Sequence, residues 1–165
     1  MNRASVEQVG TRWRLQFRRH FDHDVTRVWT ALTDTDDLAA WFPDGIDGEW
    51  QVGSRLTFGS EQVGTFHGEV LRCEPPSLLE YTWGTDVLRW AIEPDERGCV
   101  LTLQHTFAEQ GKAARDGAGW HACLDALEAR VDGHDPIDTG AVWAAVHPDY
   151  VADFGPAASS IGPPT

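Results

Sequence analysis

Three histidines, His67, His105 and His121, are the residues of this sequence best suited to acid–base chemistry. An imidazole beside a carboxylate can act as a general base or orient a ligand carbonyl. His67 alternates with Glu69, so His67, Glu69 and His105 are the candidates for general acid–base catalysis. A histidine on an apolar strand face, such as His105 beside Leu103, is more often a hydrogen-bonded core residue. We therefore predict no catalytic residue and leave open whether the chain is an enzyme.

Eight tryptophans are spread along the 165 residues. An indole is a large apolar body with one N–H that needs a partner, so this number indicates either an aromatic core or the lining of a cavity. Core packing is the commoner role of any single ring, but bulky rings on facing elements rarely interdigitate without gaps. We therefore predict a cavity of about a few hundred cubic ångströms. The predicted ligand-binding residues are Trp29, Trp41, Phe42, His67, Trp83, Trp90, His105, Phe107, Trp120 and Leu124.

Other site chemistries lack their usual residue patterns. The histidines show no metal-ligand spacing, and the acidic residues between Asp34 and Asp47 lack the alternation around a glycine that a calcium loop requires. Three widely separated cysteines fit neither a disulfide framework nor a zinc-binding pair. We predict no metal and no cofactor.

The formal net charge of −13 disfavours phosphate backbones and anionic lipid surfaces as partners. No stretch approaches the about 18 apolar residues of a membrane span, and the first residues lack the apolar run of a signal peptide. We predict a cytoplasmic protein that binds neither nucleic acid nor membrane.

The hydrophobic patterns predict an α+β domain over residues 11–133, after a flexible N-terminus at residues 1–10. Alternation from Trp13 to Phe17 indicates a first strand, and caps at Asp24 and Asp34 indicate two short helices after it. Glycine and proline then separate five short strands, giving a curved antiparallel sheet of about six strands. These strands are predicted at 49–58, 64–73, 78–83, 87–92 and 99–107.

A long helix is predicted to close the domain. Trp120, Leu124, Leu127 and Val131 recur at intervals of four, three and four, which places one apolar stripe on a helix over about residues 112–131. A stripe of this kind must be buried, so we expect the sheet to wrap around the helix.

Residues 134–165 form a C-terminal extension with no lysine or arginine and five prolines. Apolar residues at 141–146 and 150–154 predict short helices that dock on the domain. From about Gly155 onward we expect a flexible tail.

Six short motifs occur in the order of these elements. They are VWTALTD at 28–34, LAAWF at 38–42, FHGEVL at 66–71, PP at 75–76 with LEYTW at 79–83, LTLQH at 101–105, and GW at 119–120 with Leu124 and Leu127. Together they resemble the START-like (SRPBCC) superfamily with its helix-grip fold and, within it, the family of activators of heat-shock-protein ATPase homologues. The resemblance covers about residues 11–132. His23 and Asp24 stand where members commonly have an Ala-Pro pair.

The resemblance implies a pocket between the curved sheet and the closing helix, often holding a hydrophobic small molecule or lipid. The superfamily includes carriers, cyclases, hydrolase-like members and co-chaperones, so the fold leaves the activity open. Our first hypothesis is a protein that binds a small hydrophobic or aromatic molecule. One alternative is a cyclase-type or hydrolase-type enzyme that uses His67, Glu69 or His105. Another is a module that acts on a chaperone ATPase through Trp143, Tyr150 and Phe154. A homodimer formed through the segment around Trp143 is a further alternative.

Overall fold

One eight-stranded antiparallel sheet and a long helix across its inner face make up the centre of the protein. The computed structural model describes residues 3–61 and 64–162. The strands are β1 (Ser5–Val9), β2 (Arg12–Phe21), β3 (Gly45–Asp47), β4 (Arg55–Ser60), β5 (Gly64–Glu74), β6 (Leu78–Trp83), β7 (Asp86–Asp95) and β8 (Gly98–Phe107). The helices are α1 (Val25–Thr33), α2 (Thr35–Trp41), α3 (Ala113–Val131) and α4 (Thr139–Phe154), with 3-10 turns at Gln110–Lys112 and Pro156–Ala158.

The strands lie in the order β1-β2-β8-β7-β6-β5-β4-β3, and each neighbouring pair is antiparallel. Alternation decides which side chains face inward. Along β8, Leu101, Leu103, His105 and Phe107 are buried, and the residues between them are partly exposed. Because Leu88 of β7 pairs with His105, the same face continues across the sheet.

Helix α3 covers this inner face with the predicted apolar stripe, since Trp120, Leu124, Leu127 and Val131 are all buried. Two short helices follow β2, capped by the side chains of Asp24 and Asp34. The predicted α+β helix-grip fold is thereby confirmed, with eight strands instead of about six.

The two additional strands are those with the weakest sequence pattern. We expected residues 1–10 to be flexible, but Ser5–Val9 forms the edge strand β1, while Met1 and Asn2 lie outside the described residues. Only Val6 of β1 is even partly buried, so its sequence shows no alternation. β3 has three residues, which is too short for a period to be recognised.

The C-terminal extension is more ordered than we expected. Instead of two short helices, residues 139–154 form the single helix α4 against α3. Tyr150 is fully buried there: its hydroxyl accepts a hydrogen bond from the backbone N–H of Ala4 at 3.0 Å and lies 2.9 Å from Nδ1 of His121. The segment after Gly155 is not a free tail, because the backbone N–H of Ile161 donates to the carbonyl of Gly111. Residues 163–165 lie outside the described part of the chain.

Two sets of ion pairs join the layers. Arg19, only 1% exposed on the inner face of β2, donates to Asp125 at 2.8 Å and Glu128 at 3.2 Å on α3. Asp37 of α2 accepts from Arg27 of α1 at 3.1 Å and Arg130 of α3 at 2.7 Å. Burial alone would raise the pKa of Asp37, but these two arginines outweigh burial and lower it. The helices are therefore held in place by charge as well as by apolar packing.

Gly68 of β5 provides the first test of this packing. A Cβ added there would overlap the backbone carbonyl of Thr82 and lie 2.9 Å from the Phe58 ring. We expect Gly68→Ala to lower the free energy of unfolding by about 1–3 kcal/mol, because the backbone of β6 would have to move. Urea unfolding followed by tryptophan fluorescence measures the change. Gly59→Ala on β4 is the control, since its Cβ would make only ordinary contacts; equal stability of the two variants would contradict the prediction.

Candidate functional site

Aromatic rings fill the middle of the space between the sheet and α3. Trp90 packs edge-on against Trp120, with ring centroids 5.7 Å apart, and against Trp41 at 5.3 Å. Trp90 and Trp120 are 1% and 3% exposed. Trp41 and Trp90 therefore belong to the packed core, whereas Trp120 packs against Trp90 and also borders the open space beside α3.

Open space lies instead beside the first half of α3, in a cleft of about 870 Å³. The cleft is bounded by the β6–β7 turn, the segment after α2, α3 and the start of α4. Its aromatic lining residues are Phe66, Trp83, Trp120 and Trp143. A concave site of this size with aromatic walls falls within the usual range for small-molecule sites, about 300–1,000 Å³.

Hydrogen bonds fix the orientation of two of these rings. Trp83, the last residue of β6, donates its indole N–H to Asp44 at 2.9 Å. Trp143 of α4 donates its indole N–H to the backbone carbonyl of Arg115 at 3.1 Å. The two side walls are therefore positioned by the fold before any ligand enters.

One end of the cleft contains a buried network centred on Asp86, the first residue of β7. Its carboxylate lies 2.8 Å from Nε2 of His105 and accepts a hydrogen bond from Nζ of Lys112 at 2.7 Å. The indole N–H of Trp120 donates to Nδ1 of His105 at 3.0 Å. Burial by itself would raise the pKa of Asp86, but the hydrogen bonds from His105 and Lys112 outweigh burial and lower it.

The hydrogen bonds of this network assign the tautomer of His105. Because Nδ1 accepts the hydrogen bond of Trp120, the ring proton is assigned to Nε2, which donates to Asp86. Both ring nitrogens are thus engaged inside the core, and His105 itself is fully buried. His105 therefore has no nitrogen available to act as a general base on a ligand.

Asp44 occupies another part of the cleft and has a different environment. Its carboxylate accepts from Trp83, and no cationic side chain among residues 3–61 and 64–162 lies within ion-pair distance of it. Burial raises the pKa of Asp44, and the hydrogen bond from Trp83 only partly offsets this. Within the described chain, Asp44 is thus a half-buried carboxyl group without a counter-ion.

Cys123 of α3 also borders the cleft. Burial, and to a smaller extent the charge of Asp44, raise the pKa of its thiol to about 12. The thiol stays protonated at neutral pH, which makes it a poor nucleophile.

The predicted ligand-binding residues separate into three groups. Trp83 and Trp120 line the cleft. The side chains that lie in the core behind it are Trp41, Phe42, Trp90, His105, Phe107 and Leu124. The remaining two, Trp29 and His67, lie away from the cleft.

His67 points away from the inner face, which corrects its predicted position. In β5, Phe66 pairs with Phe58 on the inner face, so its neighbour His67 points to the opposite face, where it pairs with Thr57 and is exposed. Glu69 is exposed on the same outer face. Trp29 is half-buried on α1. The carboxylate–histidine pairs considered for catalysis are therefore not brought together in the cleft.

Most residues of the cleft were not among the predicted ligand-binding residues, and the main aromatic and charged ones include Asp44, Phe66, Asp86, Lys112 and Trp143. Lys112 could have been singled out from the sequence, because it is the single lysine of the chain. Asp86 and Lys112 are 26 positions apart in the sequence, so no local spacing could have paired them.

The aromatic residues proposed for contact with a chaperone or a second copy are turned toward α3. Tyr150 is fully buried, and Trp143 and Phe154 are half-buried. Tyr150 is therefore not available for contact with another protein, while part of Trp143 and Phe154 stays accessible.

Within residues 3–61 and 64–162, no group of three or more His, Cys, Asp or Glu residues could hold a metal ion. In the same part of the chain, no helix is long and apolar enough to cross a membrane.

Comparisons with known proteins agree with this architecture. A family model described as Activator of Hsp90 ATPase homolog 1-like protein matches residues 22–132. No curated protein matches the chain.

Solved structures share the fold over most of the chain. CalU16 from Micromonospora echinospora has a TM-score of 0.71 at 20% sequence identity, covering 92% of this chain and 95% of that chain. The conserved protein of unknown function EF2215 from Enterococcus faecalis has a TM-score of 0.74 at 19% identity, covering 92% of each chain. The protein encoded by BPP1335 from Bordetella parapertussis has a TM-score of 0.68 at 26% identity, covering 83% of this chain and 84% of that chain. At 19–20% identity, the first two likenesses show the fold alone.

Proposed function

The chain belongs to the Activator of Hsp90 ATPase homolog 1-like family, and on that premise we propose that it binds a small apolar or aromatic molecule in the cleft beside α3. The observation that carries this proposal is the cleft itself, about 870 Å³ in volume and walled by Phe66, Trp83, Trp120 and Trp143. Rings of this size bury a large apolar area of a ligand and can stack on its aromatic parts. The proposed site is at the rim of the interior, not in its centre.

The chemistry of the cleft supports binding more than catalysis. His105 has both ring nitrogens engaged, and the thiol of Cys123 is held protonated. The charges of Asp86 and Lys112 pair with each other. These groups shape the wall and its polarity, and none of them is arranged as a base next to a nucleophile.

Gly119 allows the cleft to be filled without disturbing the core. It lines the cleft on α3, and a Cβ added there would meet no atom within 4 Å. We expect Gly119→Leu to abolish the ligand-induced rise in melting temperature, because the new side chain occupies the site. The unliganded variant should be at least as stable as the wild type, since glycine is unfavourable inside a helix by about 1 kcal/mol.

The measurement is thermal unfolding with a panel of small aromatic compounds, followed by calorimetry on each hit. Ala152→Leu on α4, an exposed residue outside the cleft, is the matched control and should keep ligand binding. If no compound raises the melting temperature of the wild type, or if Gly119→Leu binds as well as the wild type, the proposed site is wrong.

A further inference from the structure

We propose that the ligand of this cleft is an organic amine, an apolar or aromatic body with a positively charged nitrogen that pairs with Asp44. This inference rests on the proposed function, because it assigns the ligand class of the same cleft. Its basis is a difference between Asp44 and the other carboxylates that line the cleft.

The other lining carboxylates already have counter-ions. Asp86 accepts from Lys112 at 2.7 Å, and Asp116 accepts from Nε of Arg115 at 2.9 Å. Arg12 also lies 3.9 Å from Asp86, and Lys112 lies 3.6 Å from Asp116, so both carboxylates at that end are paired with cations. Asp44 adds one carboxylate for which the described residues supply no cation. Asp44 is therefore the lining carboxylate that has no counter-ion within residues 3–61 and 64–162.

The surroundings of Asp44 suit a cation with an apolar body. Its hydrogen-bond partner Trp83 is a wall of the cleft, so a ligand that pairs with Asp44 can place its apolar body against the indole ring. Burial makes the charged carboxylate less favourable, which a bound ammonium group would reverse. The net charge of −13 also raises the concentration of cations near the protein.

Arg115 provides the main argument against an amine. Its Nε contacts Asp116, but its guanidinium has further N–H groups that could bind a carboxylate on a ligand. An anionic ligand is therefore the competing outcome, and the experiment must separate the two charges.

The affinity for an amine should also depend on pH. Asp44 is the group near the proposed ammonium position whose change of charge should control this dependence. Burial raises the pKa of Tyr81 on β6 and that of Cys123 on α3, so both stay neutral from acid to neutral pH. The other charged groups lining the cleft are Asp86, Lys112, Arg115 and Asp116. Since the pKa of Asp44 is raised and that of Asp86 is lowered, Asp44 is neutralised before Asp86 as the pH falls, and amine binding should weaken there.

The experiment compares three compounds with the same ring system and different charges: 2-(1-naphthyl)ethylamine, 2-(1-naphthyl)ethanol and 1-naphthaleneacetate. Calorimetry at neutral pH measures each with the wild type and with Asp44→Asn. The amide of the Asp44→Asn variant keeps an oxygen that accepts from the indole N–H of Trp83. Because burial disfavours the charged form of Asp44, removing this charge should leave the melting temperature unchanged or raise it. Asp36→Asn, an exposed change of the same charge on α2, controls for the net charge of the protein.

We expect the wild type and Asp36→Asn to bind the amine about tenfold or more tighter than the alcohol, the scale of one charge-assisted hydrogen bond. Asp44→Asn should lose this preference and bind the alcohol as before. Equal binding of all three compounds by the wild type, or a preference for the acetate, would overturn the amine inference and leave the proposed function standing. Binding of none of them would count against both.

Discussion

Replacing Asp86 with alanine should lower the free energy of unfolding by about 3–5 kcal/mol, the range measured when one partner of a buried ion pair is removed. Asp86 is 7% exposed and holds Nε2 of His105 and Nζ of Lys112. Without the carboxylate, the N–H of a fully buried imidazole and a mostly buried ammonium group lose their acceptor. Urea unfolding followed by tryptophan fluorescence measures the change.

Two further variants show where the effect comes from. Asp86→Asn keeps an oxygen that can accept from His105 but leaves Lys112 only its longer ion pair with Asp116 at 3.6 Å, so the loss of stability should be intermediate. Asp135→Ala, an exposed aspartate with no ion pair among the described residues, should be nearly neutral. If Asp86→Ala is no less stable than Asp135→Ala, the network does not stabilise the fold.

The loss at Asp86 should also depend on pH in a defined direction. The pKa of Asp86 is lowered in the folded state, so the unfolded chain takes up its proton first as the pH falls. The stabilisation by Asp86 is therefore present above the ordinary aspartate pKa of about 4 and is lost as the pH falls through the lowered value. Wild type and Asp86→Ala should differ most near neutral pH and converge in acid.

Elements that bury one regular face could be predicted from the sequence. In β2, β8 and α3 the side chains on one face meet the core, so their spacing repeats with the period of a strand or a helix. β1 and β3 are held mainly by backbone pairing with a neighbouring strand. Backbone hydrogen bonds do not require alternating apolar and polar side chains, so these strands have no recognisable sequence pattern. This explains why two strands at opposite edges of the sheet were missed.

The position of the cleft could not be derived from the hydrophobic periodicity of the strands and helices. Periodicity shows that Trp83 and Trp90 belong to the inner face, but it does not show that one lies at the rim and the other in the centre. That difference depends on the length of β6 and on the β6–β7 turn, which place Trp83 beside Asp44 of a distant segment. His67 was misplaced for a related reason, since its neighbour Phe66 supplies the inward side chain. The aromatic character of the site was therefore predictable, and its location was not.

The loss of stability on removing a tryptophan should depend on whether it lies in the centre of the core or at the edge of the cleft. Trp90→Ala should lower the free energy of unfolding by about 3–5 kcal/mol, the usual cost of truncating a buried aromatic residue to alanine. Trp90 is 1% exposed and packs against Trp41 and Trp120. Its indole N–H also donates to the buried hydroxyl of Tyr81 at 3.1 Å, which would lose this donor. The loss is measured by urea unfolding, followed by circular dichroism because a fluorophore is removed.

Trp143→Ala is the matched comparison, because Trp143 is half-buried at the wall of the cleft. It should cost much less stability than Trp90→Ala, since solvent can fill the space that it leaves, and it should weaken ligand binding. A ligand that still binds tightly to Trp143→Ala but not to a folded Trp90→Phe variant would place the site in the interior.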